Sequence, residues 1–212
     1  MEQIYQFCLD NLNYWTITLF MTIESSFIPF PSEIVVPPAG YLAADGKLNI
    51  YLIIFFSTLG SLLGAVINYG LSFYLGRPII YKFANSKVGK ILLLSEDGIK
   101  KAETYFNNNG AVSTFIGRLI PGIRQLISIP AGLSKMRLPK FVLYTALGAG
   151  IWNTVLCIIG YALHEVASNL DAIPELAKSY GSKISLGIVA AVAIIGVAYY
   201  LINKKKNKEE NV

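Results

Sequence analysis

Four ionisable side chains lie in otherwise apolar sequence: Glu24, Glu33, Arg118 and Arg124. A charged side chain at the centre of a bilayer costs about 2.5–3.5 kcal/mol on an insertion scale, and two cost about twice that. This is a large fraction of the stability of a typical protein. Such residues persist if they pair with one another, face a wet cavity or bind an ion. Arginine presents planar donors that match a phosphate bidentately. Broken helices expose backbone N–H groups, and the N-terminus of a short helix favours an anion. An anion held at membrane depth, with its apolar remainder in lipid, is a lipid phosphate. Arg118 and Arg124 are therefore the candidate substrate-binding residues. Glu24 and Glu33 would compete with the phosphate, and protonating either would release an arginine, which is a route to proton coupling. The same quartet also fits Glu–Arg pairs that only hold the chain together, arginines that snorkel to the interface, or a proton relay in a small-ion or drug transporter.

The elements that carry these residues are membrane segments. Of 212 residues, 54% are apolar and 15% charged, against about 25% charged in soluble domains. Mean hydropathy is +0.52. A water-soluble globule and a disordered chain are both excluded. No charge interrupts 48–76, 141–163 or 184–203, and each is long enough to span as a helix. The expectation is an all-α integral membrane protein with a single membrane domain over 1–212. The net charge of +5 comes from basic residues that flank the apolar runs, so they meet lipid headgroups, and no nucleic-acid partner is expected. Two cysteines, Cys8 and Cys157, are too few for a disulfide framework or a zinc cluster, so no metal or other cofactor is predicted.

Two segments are apolar but too broken to span. In 11–44, Asp10 and Glu24 enclose 13 uncharged residues, Glu33 and Asp45 enclose 11, and Pro29 and Pro31 stand between. An 11-residue helix is about 16 Å long, roughly half a hydrocarbon core. The reading is a re-entrant hairpin that turns at the prolines, although one spanning helix over 11–31 would also carry Glu24. Residues 111–134 repeat the pattern around Pro121-Gly122, and a new helical arm is expected to follow that break. Pro38-Ala39-Gly40 in the first segment matches Pro130-Ala131-Gly132 in the second. Each hairpin precedes a long span, so the chain reads as two inverted repeats, 11–76 and 111–168, plus a C-terminal transmembrane helix at 184–203. Transporters build midplane sites from such repeats.

With the C-terminus cytoplasmic, Lys204, Lys205, Lys206 and Lys208 fall inside, as do the basic residues of 77–110 and of 135–140. That places 13 of the 18 basic residues inside and three (Lys47, Lys178 and Lys183) outside. The location is then a multi-pass position in the cell membrane. Residues 77–110 read as cytoplasmic interfacial helices. Ser95 is the N-cap of the second, Ile99, Ala102 and Phe106 share its buried face, and Gly110 is its stop. Gly60 and Gly64 form a small face for close helix contact within the monomer, with a homodimer as the alternative.

Glu24, Pro29-Phe30-Pro31-Ser32-Glu33, Gly40 and Phe115-Ile116-Gly117-Arg118-Leu119-Ile120-Pro121-Gly122-Ile123-Arg124, with Ala131-Gly132, Met136 and Phe141, resemble the DedA family, also called the SNARE-associated or VTT-domain family. Gly64, Tyr69, Gly76, Arg77, Gly148 and Trp152 also fit its pattern. The match covers roughly 15–168. The resemblance implies a lipid transporter, not an enzyme, with two facing re-entrant hairpins. Bacterial members return undecaprenyl phosphate across the cytoplasmic membrane, others move phosphatidylethanolamine, and eukaryotic relatives scramble phospholipids. It implies a link to protons and a role for Glu24, Glu33, Arg118 and Arg124. The rival from another class is a polyprenyl pyrophosphate phosphatase. For that chemistry, the only histidine, His164, sits beside Glu165 at the end of a span, and Ser128 and Ser134 have no evident basic partner.

Overall fold

The computed structural model describes residues 11–26, 32–87, 95–120 and 123–165, with Ile173 and Leu176. Pro29, Pro31, Pro121-Gly122 and the expected helix at 184–203 lie outside the described residues. Among the described residues every regular element is helical. In chain order they are α1 (Tyr14–Glu24), a 3-10 turn at Ser32–Ile34, α2 (Val36–Ala44), α3 (Ile50–Ala84), α4 (Glu96–Leu119), α5 (Ser128–Leu133) and α6 (Leu138–Ala162), which ends in a 3-10 turn at Leu163–Glu165.

Local chemistry sets the boundaries. Asn13 caps α1 by accepting from the N–H groups of Trp15 and Thr16, and Thr16 returns the bond to the Asn13 N–H. The helix stops at Glu24 after 11 residues, about 16 Å, so no continuous helix runs from 11 to 31. Helices α2 and α5 both carry proline in the first turn, where its missing N–H leaves no bond unmade. Asn49 caps α3, and its own N–H donates to the Tyr14 hydroxyl at 2.9 Å, which ties the starts of α1 and α3 together. Helix α3 breaks its helical backbone at Gly76 (φ 69°) and resumes to Ala84.

Beside the stop read at Gly110, the helical backbone of α4 is interrupted at Asn109 (φ −135°, ψ 30°), and a second helical stretch runs on to Leu119. The Ser113 and Thr114 hydroxyls bond back to the Asn109 and Gly110 carbonyls, and the far stretch packs on α6. One expectation is corrected: a helical arm does not begin directly after Gly122. Residues 123–127 form a run of turns and α5 starts at Ser128. The Ser95 cap does form, accepting from the Gly98 N–H, and Ile99 and Phe106 are buried.

The long helices turn large apolar side chains outward and place small and polar residues where they meet their neighbours. The buried face of α3 presents Ser57, Gly60, Ser61, Gly64, Asn68 and Ser72. Its outward face carries Tyr51, Phe55, Leu63, Ile67 and Tyr74. Helix α6 buries Thr145, Gly148 and Asn153 beside Phe141, Trp152 and Leu156, and exposes Leu143, Leu147, Ile151 and Ile158. Large apolar faces outside, with small and polar residues at the helix contacts, are what a lipid solvent selects. Both helices are long and apolar enough to cross a membrane.

Glycines make the contacts reciprocal. Gly60 and Gly64 of α3 lie on the backbone of α1, at Thr18 and Thr22. Gly148 of α6 lies on α4, against Arg118 and the Phe115 carbonyl. Helix α2 packs on α6, where Gly40 meets the Cys157 backbone and Gly160 meets Pro37. Helix α5 packs on α3, where Gly132 meets Tyr69 and Ser72. Helices α3 and α6 pack on each other. Each short helix after a break thus docks on the long helix of the other half.

These contacts make two measurable demands. A methyl group at Gly160 runs into the Pro37 backbone, whereas one at Gly70 meets nothing within 4 Å. Gly160→Ala should destabilise by about 1–3 kcal/mol, and Gly70→Ala should be neutral or stabilising. Thermal unfolding of both variants in detergent checks the contrast. At the far end of α2, Asp45 bonds Lys47 (2.7 Å) and His164 (3.0 Å) beyond α6. Lys47 first, and His164 second, hold the Asp45 carboxyl below its ordinary value of 3.8. A depressed carboxylate stabilises above its unfolded pKa, and that contribution disappears as pH falls through the folded value. The stability difference between wild type and Asp45→Asn should therefore be present at neutral pH and vanish in acid below about pH 4.

Candidate functional site

The four ionisable residues converge from separate elements. Glu24 is the last residue of α1, Glu33 sits in the 3-10 turn, Arg118 is in the last turn of α4 and Arg124 is in the turns before α5. A carboxylate at a helix C-terminus is electrostatically unfavourable, while an arginine there is favourable. Glu24 therefore needs a cation from elsewhere in the chain, and Arg124 supplies it at 2.8 Å. Both are buried, Glu24 at 2% exposure and Arg124 at 7%.

The pair is held by further groups. Gln125 donates to Glu24 Oε1 at 3.3 Å and Ser25 donates to Oε2 at 2.8 Å. Arg124 also donates to Ser32 Oγ at 2.7 Å, and its guanidinium lies over the Trp152 ring, 5.3 Å from the centroid. Glu33 stands 3.9 Å from Arg124, at the limit of an ion pair, and is less buried than Glu24. Of the two acids, Glu24 is the principal partner.

Arg118 is different. It is 2% exposed, and among the described residues it makes no ion pair. One Nη donates to Ser128 Oγ at 2.9 Å, and its Nε has no partner. Gly148 makes room for its stem. Arg118, Arg124 and Glu24 line one narrow cavity, together with Ser25, Ser61, Trp152 and Asn153. Its interior of about 10 Å³ has room for about one water molecule. The site is closed to any headgroup in this conformation, with one arginine in an ion pair and the other in none among the described residues.

All four charged residues read from the sequence thus gather in one place, although Glu33 only at the edge. Gln125, Ser61 and Asn153 escaped that reading, because an amide or hydroxyl hardly perturbs an apolar window. Ser32 and Trp152 stood in the family pattern without a role. Ser128, considered alone, had no visible basic partner, and its partner is Arg118 across a turn. Loss of one partner of a buried ion pair typically costs about 3–5 kcal/mol. Glu24→Gln should lower thermal stability on that scale and Glu33→Gln by much less. Adding Arg124→Gln to Glu24→Gln should restore part of the loss, a cycle that isolates the pair.

Residues 30–162 match the family described as the VTT domain. The chain is 37% identical over 197 residues to a protein of Lactococcus lactis named alkaline phosphatase-like protein, covering 92% of this chain and 91% of the relative. It is 31% identical over 198 residues to undecaprenyl phosphate transporter A of Bacillus subtilis (93% and 91% covered). It is 28% identical over 206 residues to the protein of the same name in Staphylococcus aureus (97% and 98% covered). No solved structure matches. The helices with apolar outer faces agree with the membrane location of such relatives, and the chain belongs to the VTT-domain, or DedA, family of membrane proteins.

Proposed function

We propose that this DedA-family membrane protein carries a phosphate-bearing lipid, undecaprenyl phosphate, across the cytoplasmic membrane. The observation that carries the reading is Arg118: a buried guanidinium that makes no ion pair among the described residues, beside an Arg124 that makes one, in a single cavity. A buried cation without a direct ion-pair partner is costly, and a phosphate brings both the charge and the acceptor atoms for its unmade bonds. The names of the Bacillus and Staphylococcus relatives point to the same substrate.

In this proposal the phosphate docks first on Arg118 and then competes with Glu24 for Arg124. Protonation of Glu24, or of Glu33 at the edge of the cluster, lets Arg124 go to the phosphate. Deprotonation draws Arg124 back to the carboxylate and expels the headgroup. The 10 Å³ interior requires the short elements around the cavity to part before the headgroup enters. The reciprocal docking of α2 on α6 and α5 on α3 supports two inverted repeats with facing re-entrant hairpins, at 11–44 and 111–134, which can part without unmaking α3 and α6. The charge distribution favours a cytoplasmic C-terminus, and with it a cytoplasmic Gly76 end of α3.

A second reading rests on two observations. The Lactococcus relative bears the name alkaline phosphatase-like, and the Ser128 hydroxyl touches Arg118, where a phosphate would sit. One experiment separates these readings. The protein is reconstituted into liposomes with fluorescent undecaprenyl phosphate or phosphatidylethanolamine, with Arg124→Ala and Arg118→Ala as controls. The expected outcome is leaflet exchange of the monophosphate, reduced about tenfold or more in each variant, with no inorganic phosphate released. Exchange of phosphatidylethanolamine alone would make the chain a phospholipid carrier, and phosphate release would make it an enzyme. Glu24→Gln and Glu33→Gln should weaken the dependence of exchange on an imposed proton gradient. Full dependence in both would remove the glutamates as coupling acids.

A further inference from the structure

Helix α3 breaks at Gly76, whose φ of 69° suits glycine. The break opens a cavity of about 460 Å³ between α3, α4 and the turn after α5. Its lining includes two cations, Arg77 and Lys135. Glu103 engages Arg77 through Nε alone, at 3.1 Å, and Lys135 makes no ion pair among the described residues. The hydroxyls of Ser72 and Ser134, which line the same cavity, are both buried without a partner. Phe73 and Leu133 give it an apolar wall. On the other side of Ser134, a cavity of about 450 Å³ adds Arg137 and Lys140 to the same end of the molecule.

The position of Lys135 is unusual. The N–H groups of Lys135 and Met136 bond back to the carbonyls of Gly132 and Ala131, closing α5 with a Schellman turn. Such a turn places glycine or asparagine at the left-handed residue, yet here a lysine holds a φ of 50°. Strain of this kind concentrates where a side chain is needed for a ligand.

This cavity is joined to the charged cluster along α3. Ser61 lines the cavity of Arg118 and Arg124, and Ser72 lines the one at Gly76. They are about 16 Å apart along the helix. Between them on the same face is Asn68, whose amide donates to the Ser25 carbonyl and whose Oδ1 has no partner. Ser61, Asn68 and Ser72 thus place hydrogen-bonding groups on the buried face of α3 between the two cavities.

We propose that the Gly76 cavity is a second phosphate site, a station on the cytoplasmic side where the phosphate monoester rests before or after passing the Arg118–Arg124 cluster. The inference rests on the lipid-phosphate reading above and adds a binding site to it. Two cations and two unpartnered hydroxyls match the several acceptor oxygens of a phosphate, and the Phe73–Leu133 wall suits the first carbons of a lipid chain. The same chemistry would also take inorganic phosphate.

The test uses the full chain in phosphatidylcholine vesicles with a photoreactive polyprenyl monophosphate, the labelled peptides being mapped by mass spectrometry. The matching polyprenyl alcohol serves as the uncharged control. A parallel arm measures binding of radioactive inorganic phosphate. Lys135→Asn removes the charge but tolerates the left-handed backbone, and Lys135→Arg keeps the charge. The expected result is labelling of peptides containing 72–78 and 133–137. Labelling there should fall about tenfold in Lys135→Asn and return in Lys135→Arg, while labelling around Arg124 persists. If the Arg124 region is labelled and the Gly76 cavity is not, or is labelled equally in Lys135→Asn, the second site is overturned and the transport reading stands. If no lipid labels either place but inorganic phosphate binds in a Lys135-dependent way, the site stands with a soluble ligand and the lipid reading falls. If neither lipid nor inorganic phosphate binds, both fall.

Discussion

A guanidinium and a carboxylate taken out of water together bind two distant parts of this chain. Glu24 ends a short helix whose own dipole opposes it, and Arg124 lies in turns that no helix supports. Neither is stable in an apolar interior alone. Their contact at 2.8 Å, reinforced by Ser25, Ser32 and Gln125, brings the end of α1 to the start of α5. The rest of the site follows from that contact. Trp152 covers the guanidinium, Glu33 stands at the edge, and Arg118 makes no ion pair among the described residues.

Close approach of the backbones makes the contact possible. Without a hydrophobic force between helices in lipid, association depends on packing and hydrogen bonds. The glycines of α3 and α6 let α1 and α4 come against them, and Gly40, Gly160 and Gly132 let α2 and α5 cross to the opposite long helix. Many large apolar side chains of α3 and α6 are turned outward, where lipid takes them. The interior combines an apolar core around Trp152, Phe141, Ile17 and Met21 with a few polar groups, among them Ser72 and Asn68, whose hydroxyl and Oδ1 have no partner among the described residues.

Some of this was legible in the chain. The windows without charge at 48–76 and 141–163 anticipate α3 and α6, because a spanning helix announces itself by length and hydropathy alone. The proline at the start of each short helix and the Ser95 cap are local chemistry, visible in a few residues. The arm read directly after Gly122 starts instead at Ser128, because a proline–glycine pair marks where a helix stops and says little about where the next one begins.

By itself the sequence determined the solvent of the protein and the identity of its four costly charges. These depend on the order and type of neighbouring residues. The tertiary structure alone decided that Arg124 pairs chiefly with Glu24, that Arg118 bonds the Ser128 hydroxyl, and that Gln125, Ser32 and Trp152 complete the site. Coulombic and hydrogen-bond energies depend on distances of a few ångströms, and folding sets those distances between residues far apart in the chain.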